Sequence, residues 1–237
     1  MQRILSFIKP WSHTLKIKFI YLNAPFWRAE IGRIALHVGN IDFEDTRISR
    51  DEFLRLRKSG KLDDGTTIPF RQIPCLIVDE QSINQTGGIS RFCGKMSGLY
   101  PIENAVDAAL IDQIIDMATD LTVLLGPSGK EKNEEKKKSM REKLAQGALV
   151  KKISFLEELL EGGKGDWFVG KNITIADLAI WRLMGWFTSG MIDYLPTNLI
   201  APFPNLKKVC LNVEKHPKVM EWIKMTYPED YSPGNNE

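Results

Sequence analysis

The stretch KIKFIYLNAPFWRAEIGRIALHVG, residues 16–39, decides the first part of the fold. Its opening segment, Lys16–Leu22, alternates apolar with other residues and is rich in β-branched and aromatic side chains, which predicts a strand. Residues 23–25 break this pattern. From Arg28 onward, apolar residues recur at intervals of three and four, and Gly39 follows at the C′ position, where helices commonly end. The stretch therefore predicts a β-strand followed by an amphipathic helix.

The following segment, up to the helix that begins near Gln85, continues the alternation of strands and helices. Its patterns predict, in order, a strand at Asp42–Ile48, a helix at Asp51–Lys58, a Gly- and Asp-rich loop at Lys61–Thr67, a hairpin formed by Cys75–Val78 and Gln81–Ile83, and a helix from Gln85. This succession of strands and helices is typical of an α/β fold. We therefore predict an α/β domain over residues 15–97.

Beyond a linker at Ser97–Glu103, only helical periodicities remain. Thr174 and Asp177 form a capping box that opens an apolar helix. Breaks that leave about five helices of usual length are predicted at GPSG (126–129), at GGKG (162–165), around Pro196, at Pro202–Pro204 and before Pro217. We therefore predict an all-α domain over residues 104–237, with residues 1–14 as an extension outside the fold.

The composition is that of an ordinary globular protein and argues against several partners. Of the 237 residues, 43% are hydrophobic and 26% charged, and the formal net charge is +2. Such balanced charge does not favour a nucleic-acid backbone, and no apolar run reaches the length of a membrane span. Cys75, Cys93 and Cys210 fit neither a disulfide framework nor a zinc site. We therefore expect a cytoplasmic protein that binds neither nucleic acid nor membrane.

Several motifs carry a resemblance to a known family: IYLN followed by RAEIGRIAL, FEDTRI, QIPCLIVD, INQTGGISRF, WFVGKNITIADL and HPKVMEWIK. Over residues 15–227 the chain resembles the cytosolic glutathione transferases, most closely the sigma-like class that includes glutathione-dependent prostaglandin D synthases and lens S-crystallins. The resemblance implies a thioredoxin-like N-terminal domain, an all-helical domain that lines the substrate cleft, and a homodimer. It also implies glutathione as substrate or cofactor, with no metal required.

Two dipeptides match family positions that bind the main chain of glutathione. The resemblance implies that Ile73-Pro74 is cis and that the Ile73 backbone pairs with the cysteinyl part of glutathione. A trans proline at the first residue of a strand is the alternative. Gln85-Thr86 stands where the family has Gln-Ser, which meets the γ-glutamyl carboxylate at a helix N-terminus. From the residues alone, Thr86 is as readily an N-cap, and the two glycines after it are unusual there.

Tyr21 matches the tyrosine whose hydroxyl donates a hydrogen bond to the glutathione thiolate in this family. A thiol with a pKa near 8.5 is a poor nucleophile at neutral pH, and lowering that pKa by two units requires about 2.7 kcal/mol. One charge-assisted hydrogen bond supplies about 1.5–3 kcal/mol. Arg28 matches an arginine close to the sulfur, although one extra residue separates it from Tyr21. A strand tyrosine packed in the core is the alternative for Tyr21.

Three residues match family positions at the glycyl end of glutathione. Phe53 and Arg57 stand where the family has a tryptophan and a lysine, so Arg57 can pair with the glycine carboxylate. Gln72 replaces a lysine, and it can donate a hydrogen bond but supplies no charge. The alternative for Arg57 is a solvated charge on a helix.

Asp112, Asp116 and Asp120 are spaced four residues apart and therefore share one helix face. Spacing alone leaves open an acidic solvated stripe or a cation site. The resemblance implies that Asp120 reaches across the dimer to the amine of glutathione, with Asp116 on the same acidic face.

The resemblance implies an enzyme that transfers glutathione to small apolar electrophiles, or that uses glutathione to isomerise or reduce a substrate. A non-catalytic relative that keeps the fold, as the lens crystallins do, is the second hypothesis. A cysteine-type transferase is the third, but it needs a thiol at the start of the first helix, and residues 23–28 contain none. Cys75 is predicted to be a core residue instead.

Overall fold

The computed structural model of the protein describes residues 15–162 and 165–229, and the predicted extension at 1–14 lies outside them. In chain order the elements are β1 (Ile17–Leu22), α1 (Trp27–Val38), β2 (Glu44–Ile48), α2 (Arg50–Ser59), β3 (Cys75–Val78), β4 (Gln81–Asn84), α3 (Thr86–Ser97), α4 (Ala105–Leu124), α5 (Gly126–Lys130), α6 (Glu134–Gln146), α7 (Ala148–Gly162), α8 (Ile175–Thr188), α9 (Pro204–Glu214) and α10 (Pro217–Thr226). A 3-10 turn at Pro69–Arg71 precedes β3. The predicted order of strands and helices from β1 to α3 is confirmed.

The described chain divides into two compact units according to where its internal contacts are dense. The first unit contains the described residues up to Asn23 together with Asp42–Gln85, and the second contains Ala24–Ile41 and the described residues from Thr86 onward. Helices α1 and α3 are therefore grouped with the later helices. The predicted domains follow the order of elements along the chain instead, and their boundaries stay a prediction.

The first unit is a mixed four-stranded sheet with the order β2-β1-β3-β4. Strand β1 is parallel to β2 and antiparallel to β3, and β3 and β4 form the predicted hairpin. An apolar core involving α2 and one face of the sheet contains Ile20, Ile48, Leu56, Leu62, Ile68 and Cys75. Cys75 is fully buried there, so its prediction as a core residue is confirmed. Because side chains alternate along a strand, Tyr21 lies on the sheet face opposite Ile20.

The second unit packs around α8, whose side chains are almost all buried. Helices α1, α4 and α9 all contact α8. The described residues after residue 104 contain helices and no strand, which confirms the predicted all-α character. Among the described residues, no helix is both long and apolar enough to span a membrane.

The described residues after residue 104 form six helices of ten residues or more, where about five helices of usual length were predicted, and also the five-residue helix α5. The GPSG segment was predicted to be a break, yet it forms the short helix α5. Its proline lies in the first turn, where a backbone N–H has no partner within the helix and a fixed φ is already helical. Proline in that position therefore starts a helix.

Gly39 ends α1 for a different reason from the one predicted. It is the C-cap residue with a right-handed φ of −75°, and the left-handed residue is Asn40, with a φ of 50°. A Cβ atom on Gly39 would lie 2.7 Å from the Cα and Cβ atoms of Ser97, at the end of α3. Glycine is therefore needed at position 39 because α1 and α3 approach closely.

Candidate functional site

Tyr21 occupies the end of β1 in the first unit, and only 7% of it is exposed. In the parallel register it lies beside Arg47 of β2. Arg47 donates from Nε to Asp45 Oδ2 at 2.8 Å and from a terminal nitrogen to Asn23 Oδ1 at 3.1 Å. Arg47 therefore links Asn23, which lies two positions after Tyr21, to the neighbouring strand β2.

The sequence patterns do not predict this role of Arg47. The FEDTRI motif contains the residue, but only the pairing of β1 with β2 brings it beside the end of β1. A motif match identifies a residue but does not show which part of the folded chain it contacts. The neighbouring residues in the sequence therefore do not distinguish Arg47 from other positively charged residues on strands.

The Ile73–Pro74 peptide bond is cis, as the resemblance implied. No hydrogen bond joins the Ile73 N–H or carbonyl to another described residue. The carbonyls on either side of Ile73, those of Gln72 and Pro74, both accept from Asn84 Nδ2, at 2.8 Å and 3.0 Å. The first unit thus presents one peptide edge, at Ile73, that is suited to pair with another peptide.

The three residues predicted for the glycyl end also belong to the first unit. Phe53 is partly buried and packs against the apolar core. Arg57 is exposed and makes no hydrogen bond or ion pair within the described residues, and the Gln72 side chain is exposed as well. A cation without an internal partner can accept a carboxylate without first breaking another ion pair.

Gln85 ends the first unit and is exposed, with a left-handed φ of 72° that is uncommon for a residue with a side chain. In the second unit, Thr86 is the first residue of α3 and is 5% exposed. Its Oγ1 accepts a hydrogen bond from a terminal nitrogen of Arg28 at 3.3 Å. The structure therefore brings together two of the predicted site residues, Arg28 and Thr86.

The loop with the extra residue before Arg28 is held within the second unit. Arg182 donates from Nε to the Pro25 carbonyl at 3.0 Å. The Phe26 ring packs edge-on against Trp186, with the ring centroids 4.9 Å apart, and the Arg28 guanidinium lies 4.7 Å from the centroid of the Trp27 ring. The extra residue is accommodated by contacts with α8.

The unusual glycine at position 87 makes room for Arg91. A Cβ atom at Gly87 would lie 2.9 Å from a terminal nitrogen of Arg91. Arg91 donates from Nε to Asp112 Oδ1 at 2.7 Å and pairs more weakly with Asp116 at 3.5 Å. Gly87 therefore leaves room for the Arg91 guanidinium in this position, where it pairs across to α4, while α3 still begins at Thr86.

The acidic face of α4 formed by Asp112, Asp116 and Asp120 has partners within the chain for each of its three carboxylates. Besides Arg91, Asp112 accepts from the Tyr100 hydroxyl at 3.0 Å, and Asp120 pairs with Lys152 at 2.9 Å. The acidic face therefore has internal ion pairs to explain it, and its existence alone does not require a second subunit. Asp120 remains exposed and accessible to another cation.

The predicted capping box at the start of α8 is confirmed. Asp177 Oδ2 accepts from the N–H and the hydroxyl of Thr174, both at 2.7 Å, and Oδ1 accepts from the Phe168 N–H at 2.9 Å. Burial raises the pKa of this carboxyl to about 6, against the effect of its hydrogen bonds. Its role is structural, because each donor belongs to the scaffold.

The cysteines do not offer a reactive thiol. All three are buried and unpaired. Burial raises the pKa of Cys75 to about 11 and those of Cys93 and Cys210 still further. Thiols of this kind are protonated at neutral pH and are poor nucleophiles. Separately, no group of three His, Cys, Asp or Glu residues in the described chain is placed to hold a metal ion.

Similarity to known proteins covers most of the chain. A profile described as "Glutathione S-transferase, C-terminal domain" matches residues 119–226. The hematopoietic prostaglandin D synthase of Gallus gallus is 30% identical over 209 residues, which cover 87% of this chain and 94% of that protein. The chain belongs to the glutathione S-transferase family. Glutathione S-transferase 1 of Ascaris suum is 29% identical over 197 residues, covering 82% of this family member and 89% of the relative.

A solved structure supports the fold of this glutathione S-transferase family member. The monomeric glutathione S-transferase Na-GST-3 of Necator americanus has a TM-score of 0.74 and 24% identity, over 91% of this chain and 100% of that one. The predicted fold class, a thioredoxin-like α/β part followed by an all-helical part, is confirmed.

Proposed function

We propose that this chain is a glutathione transferase that binds glutathione, stabilises its thiolate through the Tyr21 hydroxyl and transfers it to small apolar electrophiles. The observation that carries the proposal is the peptide edge at Ile73, whose N–H and carbonyl make no hydrogen bond to other described residues. Glutathione is itself a peptide, and its cysteinyl N–H and carbonyl can pair with that edge as an added strand does. This pairing would hold the cysteinyl sulfur at a fixed position.

The two ends of glutathione are assigned to groups of suitable charge. Arg57 pairs with the glycine carboxylate, and Phe53 and Gln72 contact the same end. Gln85 and Thr86 meet the γ-glutamyl carboxylate at the N-terminus of α3, where backbone N–H groups and the helix dipole favour an anion. The exposure of Arg57, which has no ion-pair partner among the described residues, supports the first assignment, and the position of Thr86 at the first residue of α3 supports the second.

Two residues are assigned to the sulfur. The Tyr21 hydroxyl donates to the thiolate, and a charge-assisted bond of about 1.5–3 kcal/mol lowers the thiol pKa by about one to two units. Arg28 adds a positive charge near the sulfur. Its bond to Thr86 and its stacking on Trp27 support a fixed orientation of the guanidinium.

The assembly and location belong to the same proposal. We propose a cytoplasmic homodimer in which Asp120 of one subunit meets the glutathione amine bound by the other. The exposure of Asp120 is compatible with this role, although Lys152 must then share it. One relative, Na-GST-3, is described as monomeric, so the dimer requires its own test. Isomerisation or peroxide reduction would use the same bound thiolate with another acceptor.

The test compares the wild-type chain with Tyr21→Phe, using glutathione and 1-chloro-2,4-dinitrobenzene. We expect Tyr21→Phe to keep the Kd for glutathione within a few fold, to lower turnover at neutral pH by about tenfold or more, and to raise the pKa of the bound thiol. Tyr194→Phe is the control, because this exposed tyrosine bonds only Glu134 within the described residues.

If Tyr21→Phe leaves both turnover and the titration of the bound thiol unchanged, another group, and not Tyr21, stabilises the thiolate. Wild-type protein that binds glutathione but turns over no electrophile, isomerisation substrate or peroxide would instead indicate the non-catalytic alternative.

A further inference from the structure

Asn84, the last residue of β4, makes an arrangement of hydrogen bonds that the proposed function does not yet use. Its Nδ2 donates to two backbone carbonyls of the segment that leads into β3, those of Gln72 at 2.8 Å and Pro74 at 3.0 Å. Both acceptors belong to the first unit, as does Asn84. The two carbonyls flank Ile73, so one side-chain amide is bonded on both sides of a single residue.

The orientation of the Asn84 amide follows from its partners. Carbonyl oxygens only accept hydrogen bonds, so the NH₂ group and not Oδ1 must face them. This orientation uses both amide hydrogens. Asn84 Oδ1 is buried and has no hydrogen-bond partner within the described residues. An unpaired buried acceptor is unfavourable, and yet the reverse orientation would set an oxygen against two other oxygens. The two carbonyls therefore determine the rotamer.

The hydrogen bonds of Asn84 decide which backbone groups stay available. The carbonyls of residues 72 and 74 are engaged, whereas the N–H and carbonyl of Ile73 have no partner within the described residues. A short segment without regular secondary structure gains backbone order from such a bond pair. Because the engaged groups alternate with the available ones, Asn84 holds the segment in a conformation in which the Ile73 N–H and carbonyl have no partner among the described residues.

We infer that Asn84 is a positioning residue for glutathione, acting through the Ile73 backbone and not through contact with the sulfur. The inference rests on the proposed function, because it takes the cysteinyl main chain of glutathione as the partner of Ile73. Its consequence is specific: Asn84 contributes to the binding of ground state and transition state alike, so it affects KM and leaves kcat unchanged.

The experiment measures the Kd for glutathione by calorimetry, together with KM and kcat, in wild type, Asn84→Ala and Ser82→Ala. Ser82 is the matched control, since it lies on the same strand and donates one hydrogen bond, at 3.3 Å, to the Thr67 carbonyl. We expect Asn84→Ala to raise both Kd and KM about tenfold, which corresponds to about one net hydrogen bond, with kcat changed less than twofold. Ser82→Ala should remain within twofold of wild type.

Asn84→Asp provides a second variant that keeps the side-chain volume if Asn84→Ala folds poorly. A carboxylate cannot donate to either carbonyl, so we expect its Kd to rise at least as much as that of Asn84→Ala. In each variant that binds glutathione, the pKa of the bound thiol should match wild type, because Tyr21 is intact.

Three results would overturn the inference: a wild-type Kd in a folded Asn84 variant, an equal loss of affinity in Ser82→Ala, or a loss confined to kcat. Absence of glutathione binding by the wild-type chain would overturn the proposed function, and this inference with it. The wild-type measurement therefore separates the two failures.

Discussion

Gly39→Ala tests whether the contact between α1 and α3 sets the stability of the second unit. The added Cβ would lie 2.7 Å from the Cα and Cβ atoms of Ser97, whereas ordinary contact begins at 3.4 Å. The backbones must therefore separate by roughly 0.7 Å, because the obstructing Cα cannot rotate away. The φ of −75° at Gly39 suits alanine, so no backbone strain is added.

The magnitude follows from the cost of overpacking. Extra atoms in a packed interior cost about 1–3 kcal/mol, and each kcal/mol shifts the Tm of a chain of this size by about 2–4 °C. Taking a cost of about 2 kcal/mol, in the middle of that range, we expect Gly39→Ala to lower Tm by about 4–8 °C in thermal unfolding followed by circular dichroism. Arg28 and Thr86 lie at the opposite ends of the same two helices, so turnover should change less than stability.

Gly126→Ala is the control for the general effect of replacing glycine near a helix. No atom lies within 4 Å of a Cβ at this position, so the variant should be as stable as wild type or slightly more stable. Adding Ser97→Gly to Gly39→Ala should recover only part of the loss, because the Cα of residue 97 remains. A Tm for Gly39→Ala at or above the wild-type value would refute the packing argument.

Two further predictions concern glutathione binding. Arg57→Ala should raise KM for glutathione by about tenfold or more with kcat little changed, because a carboxylate anchor binds ground and transition states alike. Arg50→Ala, at another exposed arginine on α2, is the control. A large loss of kcat at saturating glutathione would contradict the assignment. Asp120→Asn should weaken glutathione binding a few fold and leave a homodimer intact, because it removes one screened charge and no apolar contact. Light scattering at micromolar concentration measures the assembly, and a stable monomer that binds glutathione tightly would contradict both the dimer and the Asp120 role.

The elements that could be predicted are those whose causes are local. The alternation in Lys16–Leu22 and the three-and-four spacing after Arg28 arise within single elements, and they correspond to β1 and α1. The capping box of Thr174 and Asp177 closes over three residues, so its spacing alone predicts it. The cis bond before Pro74 came from resemblance, since trans is the more common form at such positions.

The errors and omissions have causes that lie far along the chain. Local rules assigned Gly39 to a cap, while the close approach of Ser97 supplies the reason for glycine. Spacing alone left open what the acidic face of Asp112, Asp116 and Asp120 contacts, and folding places Arg91 and Lys152 beside it. In these cases the sequence shows the residue, but only the fold shows which distant residue lies beside it.

The sequence by itself determined the order of strands and helices from β1 to α3 and the resemblance to the family, because periodicity and motifs act over short stretches of chain. Only the tertiary structure decided which polar groups are engaged and which remain available. Arg47 reaches Asn23, and Asn84 reaches the carbonyls around Ile73, through strand pairing between residues at least ten positions apart. Such bonds depend on the register of the sheet, and that register exists only once the strands have paired.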